Sequence, residues 1–204
     1  SYVSELNTNQ WIKYCPHCGN QINTRSNSII LEDIKITLAV FDDYNGLQFD
    51  VIRNSVPLEC WTPVSQYEIQ PRGLTPLYDS LVRIISIAKR ANSEKTIIVV
   101  ITDGYENASK EVTKNDVRKV IDDIKSRGWQ IVFLGAEFDA FGQAHQVGVS
   151  FGQTLCWASG HAGKTMNLLA DHSCNYYVTG TPIEFTKLDR IEANEASITS
   201  DSNA

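Results

Sequence analysis

The pattern of apolar and polar positions divides this chain into a polar N-terminal stretch, an alternating series of strands and helices, and a polar tail. Residues 1–33 are rich in Asn and Ser, and only Ile29, Ile30 and Leu31 form a run ready to pack, so an irregular arm is expected. Residues 36–41 read as a strand, Asp42, Asp43, Tyr44, Asn45 and Gly46 as a turn, and 47–52 as the antiparallel partner. A long connection with Trp61, Pro63 and Pro71 follows. From Leu77 onward, Leu81, Ile84, Ile85 and Ala88 recur at helical spacing, with Lys89 and Arg90 in the last turn, where the helix dipole favours them. Thr75 is placed to cap this helix and Pro76 to take its first position. Residues 96–102 are almost wholly β-branched, which predicts a strand buried on both faces of a parallel sheet. Asp103-Gly104 stops that strand and puts a carboxylate at its carboxyl end, where open α/β sheets keep their ligands.

Thr113 with Asp116 resembles a capping box, opening a helix whose apolar face is Val117, Val120, Ile121 and Ile124 and which stops at Gly128. Residues 130–134 are the next buried strand, 138–147 a short helix, 153–157 a further strand and 165–177 the last helix. From Asp189 onward the residues are small and polar, so a loose tail is expected. Strands alternating with helices predict an α/β fold. Its doubly wound, mostly parallel sheet would carry one antiparallel edge hairpin and right-handed crossovers. The expected organisation is an arm over 1–33, one domain over 34–188 and a flexible tail over 189–204.

Composition narrows the function. With 204 residues, 42% apolar and 21% charged, one globular domain with a real core is expected. The net charge of −6 and the lack of any Lys/Arg-rich run disfavour a nucleic-acid binder. No apolar stretch approaches the roughly 20 residues that span a bilayer. Five cysteines, two of them in a CxxC, favour a reducing compartment and a metal or redox role over a disulfide framework.

Cys15-Pro16-His17-Cys18 admits two chemistries. A redox CxxC needs a long helix behind it, and Gly19-Asn20 does not start one. Tyr-Cys-Pro-His-Cys-Gly-Asn instead resembles half of a zinc ribbon, whose tetrahedral site needs two more ligands. Cys60, Cys156, His161, His172 and Cys174 are available, and the pairs Cys156/His161 and His172/Cys174 have suitable spacing. The alternative is a pair of free thiols in a surface loop. Residues 158–165 fit a relaxed Walker A pattern ending in Lys164 and Thr165, against the plainer reading of a helix start. No Ser-His-Asp or Cys-His constellation is readable, and Asp103 with Glu106 is too little for acid–base catalysis, so no enzyme is expected.

Four blocks in order then carry a resemblance: Ile-Thr-Leu-Ala-Val-Phe-Asp-Asp (36–43), Pro-Arg-Gly-Leu-Thr-Pro-Leu-Tyr-Asp (71–79), Val-Ile-Thr-Asp-Gly-Tyr-Glu-Asn-Ala-Ser (100–109) and Ile-Val-Phe-Leu-Gly-Ala-Glu-Phe-Asp-Ala (131–140). Together they resemble the von Willebrand factor A (vWA) domains found as single-domain proteins in bacteria and their phages. The resemblance implies a metal-ion-dependent adhesion site built from an Asp-x-Ser-x-Ser loop after the first strand, a threonine and an aspartate. Thr75 matches the threonine and Asp103 the aspartate, and oxygen ligands of this kind suit Mg²⁺. The first strand and its loop have no counterpart in this sequence, so the implied site is degenerate, with Asp42 or Asp43 as substitute ligands. The gap left beside the 36–41 strand could be filled by 28–31, by 183–191 or by another chain, or its two neighbours could close up.

The reading that results is a non-enzymatic module binding a protein partner at the carboxyl edge of the sheet, with a zinc-stabilised arm. It would work in the cytoplasm of a bacterial cell or phage-infected host, or in a virion. The alternatives are an assembly subunit that completes its sheet with a neighbour's strand, and a nucleotide-binding protein using 158–165.

Overall fold

Turn chemistry and apolar periodicity place the elements of the computed structural model, which describes residues 34–65, 67–69 and 73–196 and the backbone of 13–14 and 21–22. In the arm, β1 (Lys13–Tyr14) pairs antiparallel with β2 (Gln21–Ile22). Cys15, Cys18 and the 28–31 run lie outside the described residues.

β3 (Lys35–Asp43) and β4 (Leu47–Pro57) form the expected antiparallel hairpin. Asn45 and Gly46 take φ of 60° and 114°, and Asp43 Oδ1 accepts the Gly46 N–H at 3.1 Å, so the turn closes on its own side chain. The pairing shifts register around Leu38, opposite the part of β4 where Ser55 adopts φ 52°.

β5 (Ile97–Thr102), β6 (Gln130–Ala136) and β7 (Thr154–Trp157) form a parallel three-stranded sheet in that order. The fold is therefore α/β, with a parallel sheet and a separate antiparallel pair. α1 (Leu77–Ala91), α2 (Lys114–Ser126) and α3 (Phe141–Gln146) pack on one face, where Leu81, Ile85, Val117, Ile121 and Ala144 meet Ile98, Val100, Ile131 and Phe133. α4 (Ala162–Thr179) and the segment containing α5 (Lys187–Glu192) cover the other face. There Tyr176, Ile183, Phe185 and Ala193 meet Val132, Leu134, Leu155 and Trp157. Fully buried side chains such as Phe133 and Leu134 each contribute on the order of 1.5–3 kcal/mol. α2 opens with the expected capping box, Thr113 Oγ1 accepting the Asp116 N–H and Asp116 Oδ2 accepting the Thr113 N–H. Among the described residues no helix is long and apolar enough to cross a membrane.

Three expectations are corrected. β5 is not buried on both faces: Ile98, Val100 and Thr102 point into the core, while Val99 is 38% and Ile101 49% exposed. The α4 layer covers β6 and β7 but reaches only Ile97 of β5. Next, among the described residues β3 and β5 have not closed up: β3 pairs with β4 and bridges to Leu74 through Asp43 but forms no ladder with β5, and residues 183–191 lie against β7 rather than beside β3. Last, the chain beyond Asp189 is not loose through Ala196. α5 continues to Glu192, Ala193 is fully buried, and Glu195 accepts the Cys156 N–H and pairs with Arg190 at 2.9 Å. Residues 197–204 lie outside the described residues.

Candidate functional site

The carboxyl ends of β3 and β5 meet the start of α1, and two carboxylates hold them there. α1 begins after Pro76, which supplies no side-chain cap. Its first-turn donors instead cross to a distant loop: the Tyr78 N–H donates to Glu106 Oε2 at 2.9 Å and Ser109 Oγ at 3.0 Å, and the Asp79 N–H to Ser109 Oγ at 3.2 Å. Thr75 is thus not the cap that its position before Pro76 suggests, because Pro76 occupies the cap and leaves Thr75 one residue outside. Its backbone is held by Asn107, whose Oδ1 accepts the Thr75 N–H at 2.8 Å and whose N–H donates back to the Thr75 carbonyl at 3.2 Å. Glu106 Oε1 also accepts the Ala108 and Ser109 N–H groups, curling the loop around its own carboxylate. Asp79, 2% exposed, completes the lock by accepting the N–H groups of Lys110, Glu111 and Val112 at 2.8, 3.1 and 3.0 Å.

Neither Glu106 nor Asp79 stood out in the sequence for this role. An acid at a helix start is an ordinary signal, and nothing local shows that its donors lie some thirty residues downstream.

The mouth itself is drawn together by close backbone approaches. Asp43 and Leu74 form an isolated antiparallel bridge, each N–H donating to the other's carbonyl at 2.9 and 3.3 Å. A β-carbon on Gly73 would sit 2.1 Å from the Asp43 carbonyl oxygen, so only glycine fits the crossing. On the other side, a β-carbon on Gly104 would lie 3.5 Å from Thr75 Oγ1. Thr75 and Asp103 therefore flank the same point. Asp103 is exposed and accepts no hydrogen bond from any described residue. Tyr44, Leu74 and Tyr105, 55–59% exposed, rim the same end.

The other two acids behave differently. Asp43 accepts the Lys110 ammonium at 3.0 Å, which with the Gly46 N–H holds its carboxyl below the usual range. Asp42 is buried. Mg²⁺ takes about six oxygens. Asp43 is already paired with Lys110, and no group of three His, Cys, Asp or Glu side chains gathers here among the described residues.

The zinc candidates among the described residues are scattered, four of them on or beside β7 and α4 and one after β4. Cys156 lies in the core with its sulfur accepting the Ala140 N–H at 3.4 Å, and burial pushes its thiol up to about 12, away from the thiolate a metal requires. His161 precedes α4 with Nδ1 3.1 Å from the Ser159 carbonyl. His172 Nε2 pairs with Asp189 Oδ2 at 3.0 Å, and Cys174 sits half-buried on the same helix. Cys60 is exposed after β4. In the Walker-like segment Lys164 faces solvent, while Thr165 is buried with its hydroxyl donating to the His161 carbonyl at 3.2 Å. The N–H groups of Ala158 and His161 already donate to the Ala193 and Ala158 carbonyls, which favours a plain helix start over a phosphate cradle. No family model, curated protein or solved structure matches this chain.

Proposed function

We propose that the chain is a non-enzymatic protein-interaction module of vWA type whose partner docks over Thr75 and Asp103 at the carboxyl edge of the sheet. The observation that carries this reading is the mouth: an exposed carboxylate beside a threonine, rimmed by Tyr44, Leu74 and Tyr105, on loops locked by Glu106 and Asp79. Large amphipathic aromatics around one fixed charge are the composition of a binding hot spot. With Asp43 taken up by Lys110, Asp103 acts directly, and the partner presents Lys or Arg rather than the carboxylate that a bound metal would call for. Partner capture should fall at least tenfold for Asp103→Ala and Asp103→Lys, fall less for Thr75→Ala, and stay constant in chelator. Binding unchanged in both alanine variants would defeat this reading.

The arm supports a structural zinc. β1 and β2 pair on either side of Cys15 and Cys18, as the strands flanking a zinc-holding turn do. Metal analysis of the purified chain should return one zinc and no magnesium. A result of no zinc would make Cys15 and Cys18 ordinary thiols.

A further inference from the structure

We infer that Asn45 is a site of spontaneous covalent modification, converted to aspartate and isoaspartate by ring closure on Gly46, with the Asp43 carboxylate as the guard that sets the rate. Asn45-Gly46 is the only asparagine–glycine pair in the sequence. The hairpin turn calls for it, because Asn45 and Gly46 both take positive φ, at 60° and 114°. The same pairing puts a carboxamide beside the least hindered amide nitrogen a chain can offer. A β-carbon on Gly46 would meet nothing within 4 Å among the described residues, and Asn45 is exposed, so neither group is walled off.

The reaction needs water alone as co-reactant. The Gly46 nitrogen gives up its proton and attacks Cγ of Asn45. A succinimide ring closes as the bond from Cγ to the carboxamide nitrogen breaks, and ammonia leaves with that proton. Water then opens the ring at either carbonyl. Opening at the side-chain carbonyl leaves aspartate, and opening at the main-chain carbonyl leaves isoaspartate, in which the chain runs through the former side chain. Isoaspartate lengthens the main-chain path inside a turn whose flanking pair is Asp43 and Leu47. The change therefore falls on the strand end that bridges to Leu74 and pairs with Lys110.

One bond holds the reaction back. The proton that Gly46 must lose is donated to Asp43 Oδ1 at 3.1 Å. A carboxylate at that distance steadies the N–H through a charge-assisted bond and opposes negative charge growing on the nitrogen. Lys110 and the Gly46 N–H together hold the Asp43 carboxyl below its usual range, which keeps the guard ionised at neutral pH. The Gly46 carbonyl also accepts the Tyr44 N–H at 3.2 Å, which stiffens the turn. Other asparagines of the described residues are less open. The residues after Asn54 and Asn107 carry side chains, and their N–H groups donate to Thr37 Oγ1 and Glu106 Oε1 at 3.0 Å each. Asn115, Asn167 and Asn175 lie within α2 and α4.

Incubation of the full chain in mildly alkaline buffer, followed by trypsin and mass spectrometry, tests this. Cleavage after Lys35 and Arg53 releases 36–53, whose only asparagine is Asn45. The native chain should slowly accumulate two products of that peptide, each heavier by the exchange of NH2 for OH, one of them a substrate for an isoaspartyl methyltransferase. Asp43→Ala should speed conversion roughly tenfold, the factor that one charge-assisted hydrogen bond supplies. Asp43→Ser, which keeps an acceptor without the charge, should fall between. Lys110→Ala cuts the tie to the loop but leaves the Gly46 N–H bonded, so it should react at close to the native rate. No conversion of Asn45 in Asp43→Ala overturns the site, and equal rates in Asp43→Ala and wild type overturn the guard. Acceleration by Lys110→Ala as large as that by Asp43→Ala also overturns the guard, since loosening of the hairpin would then set the rate.

Discussion

At the scale of single residues, the carboxylates that look alike in the sequence separate by what donates to them. Glu106 collects the N–H groups of Tyr78, Ala108 and Ser109 and the Ser109 hydroxyl, so it joins a loop to a helix start. Removing it leaves several donors unsatisfied, and Glu106→Ala should cost about 2–4 kcal/mol in urea unfolding, with Glu106→Gln recovering part of the loss. Asp103, three residues earlier and open to solvent, should tolerate alanine within about 0.5 kcal/mol. That contrast separates the residue that builds the mouth from the one proposed to bind there. A carboxylate just after a strand is legible as an acid, but its partners were not, because Tyr78 is 28 positions upstream. Cys156 shows the same limit. Its spacing to His161 suits a metal, but its place on β7 among fully buried side chains keeps the thiol protonated, with burial raising it to about 12. A thiol reagent should therefore label Cys60 quickly and Cys156 only at the rate of unfolding.

At the scale of elements, local signals were readable where the partner is local. The capping box at Thr113 and Asp116 is spelled out in four residues and forms as spelled. The same spelling recurs at Thr186 and Asp189 and starts α5, but its second member falls where the chain, from Asp189 onward, reads as tail. What holds α5 there is tertiary. Asp189 Oδ2 accepts the Thr186 N–H and pairs with His172 on α4, and although burial alone would raise its carboxyl, these bonds outweigh it and hold the value below the usual range. A carboxyl depressed in the folded state contributes stability above its unfolded value of about 3.9, and loses it as pH falls through the lower folded value. Wild-type melting temperature should therefore fall on acidification below about pH 4, and Asp189→Asn should flatten that limb while lowering stability at neutral pH. Parallel acid limbs in the two proteins would remove Asp189 from this role. β5 marks the opposite case. A β-branched run announces a strand, but whether a layer covers each face depends on where α4 ends, and no periodicity within six residues contains that.

At the scale of the whole molecule, the fold class was legible from alternating strands and helices, while the division into a parallel sheet and a separate antiparallel hairpin was not. The parallel sheet is the firm body: β6 has Ile131, Val132, Phe133 and Leu134 fully buried between two helical layers. The hairpin is tied to it by less, namely Phe41 on the core, the Asp43–Leu74 bridge over Gly73 and the exposed Lys110–Asp43 pair. Segments with few buried contacts open at lower free energy than the core they adjoin. Native-state hydrogen exchange should accordingly find two cooperative units, with amides of 36–57 opening well before those of 131–134. Gly73→Ala, which drives a β-carbon into the Asp43 carbonyl, should widen that difference by loosening the hairpin while leaving the protection of 131–134 nearly unchanged. Uniform protection across both units would show that the hairpin and the parallel sheet open together.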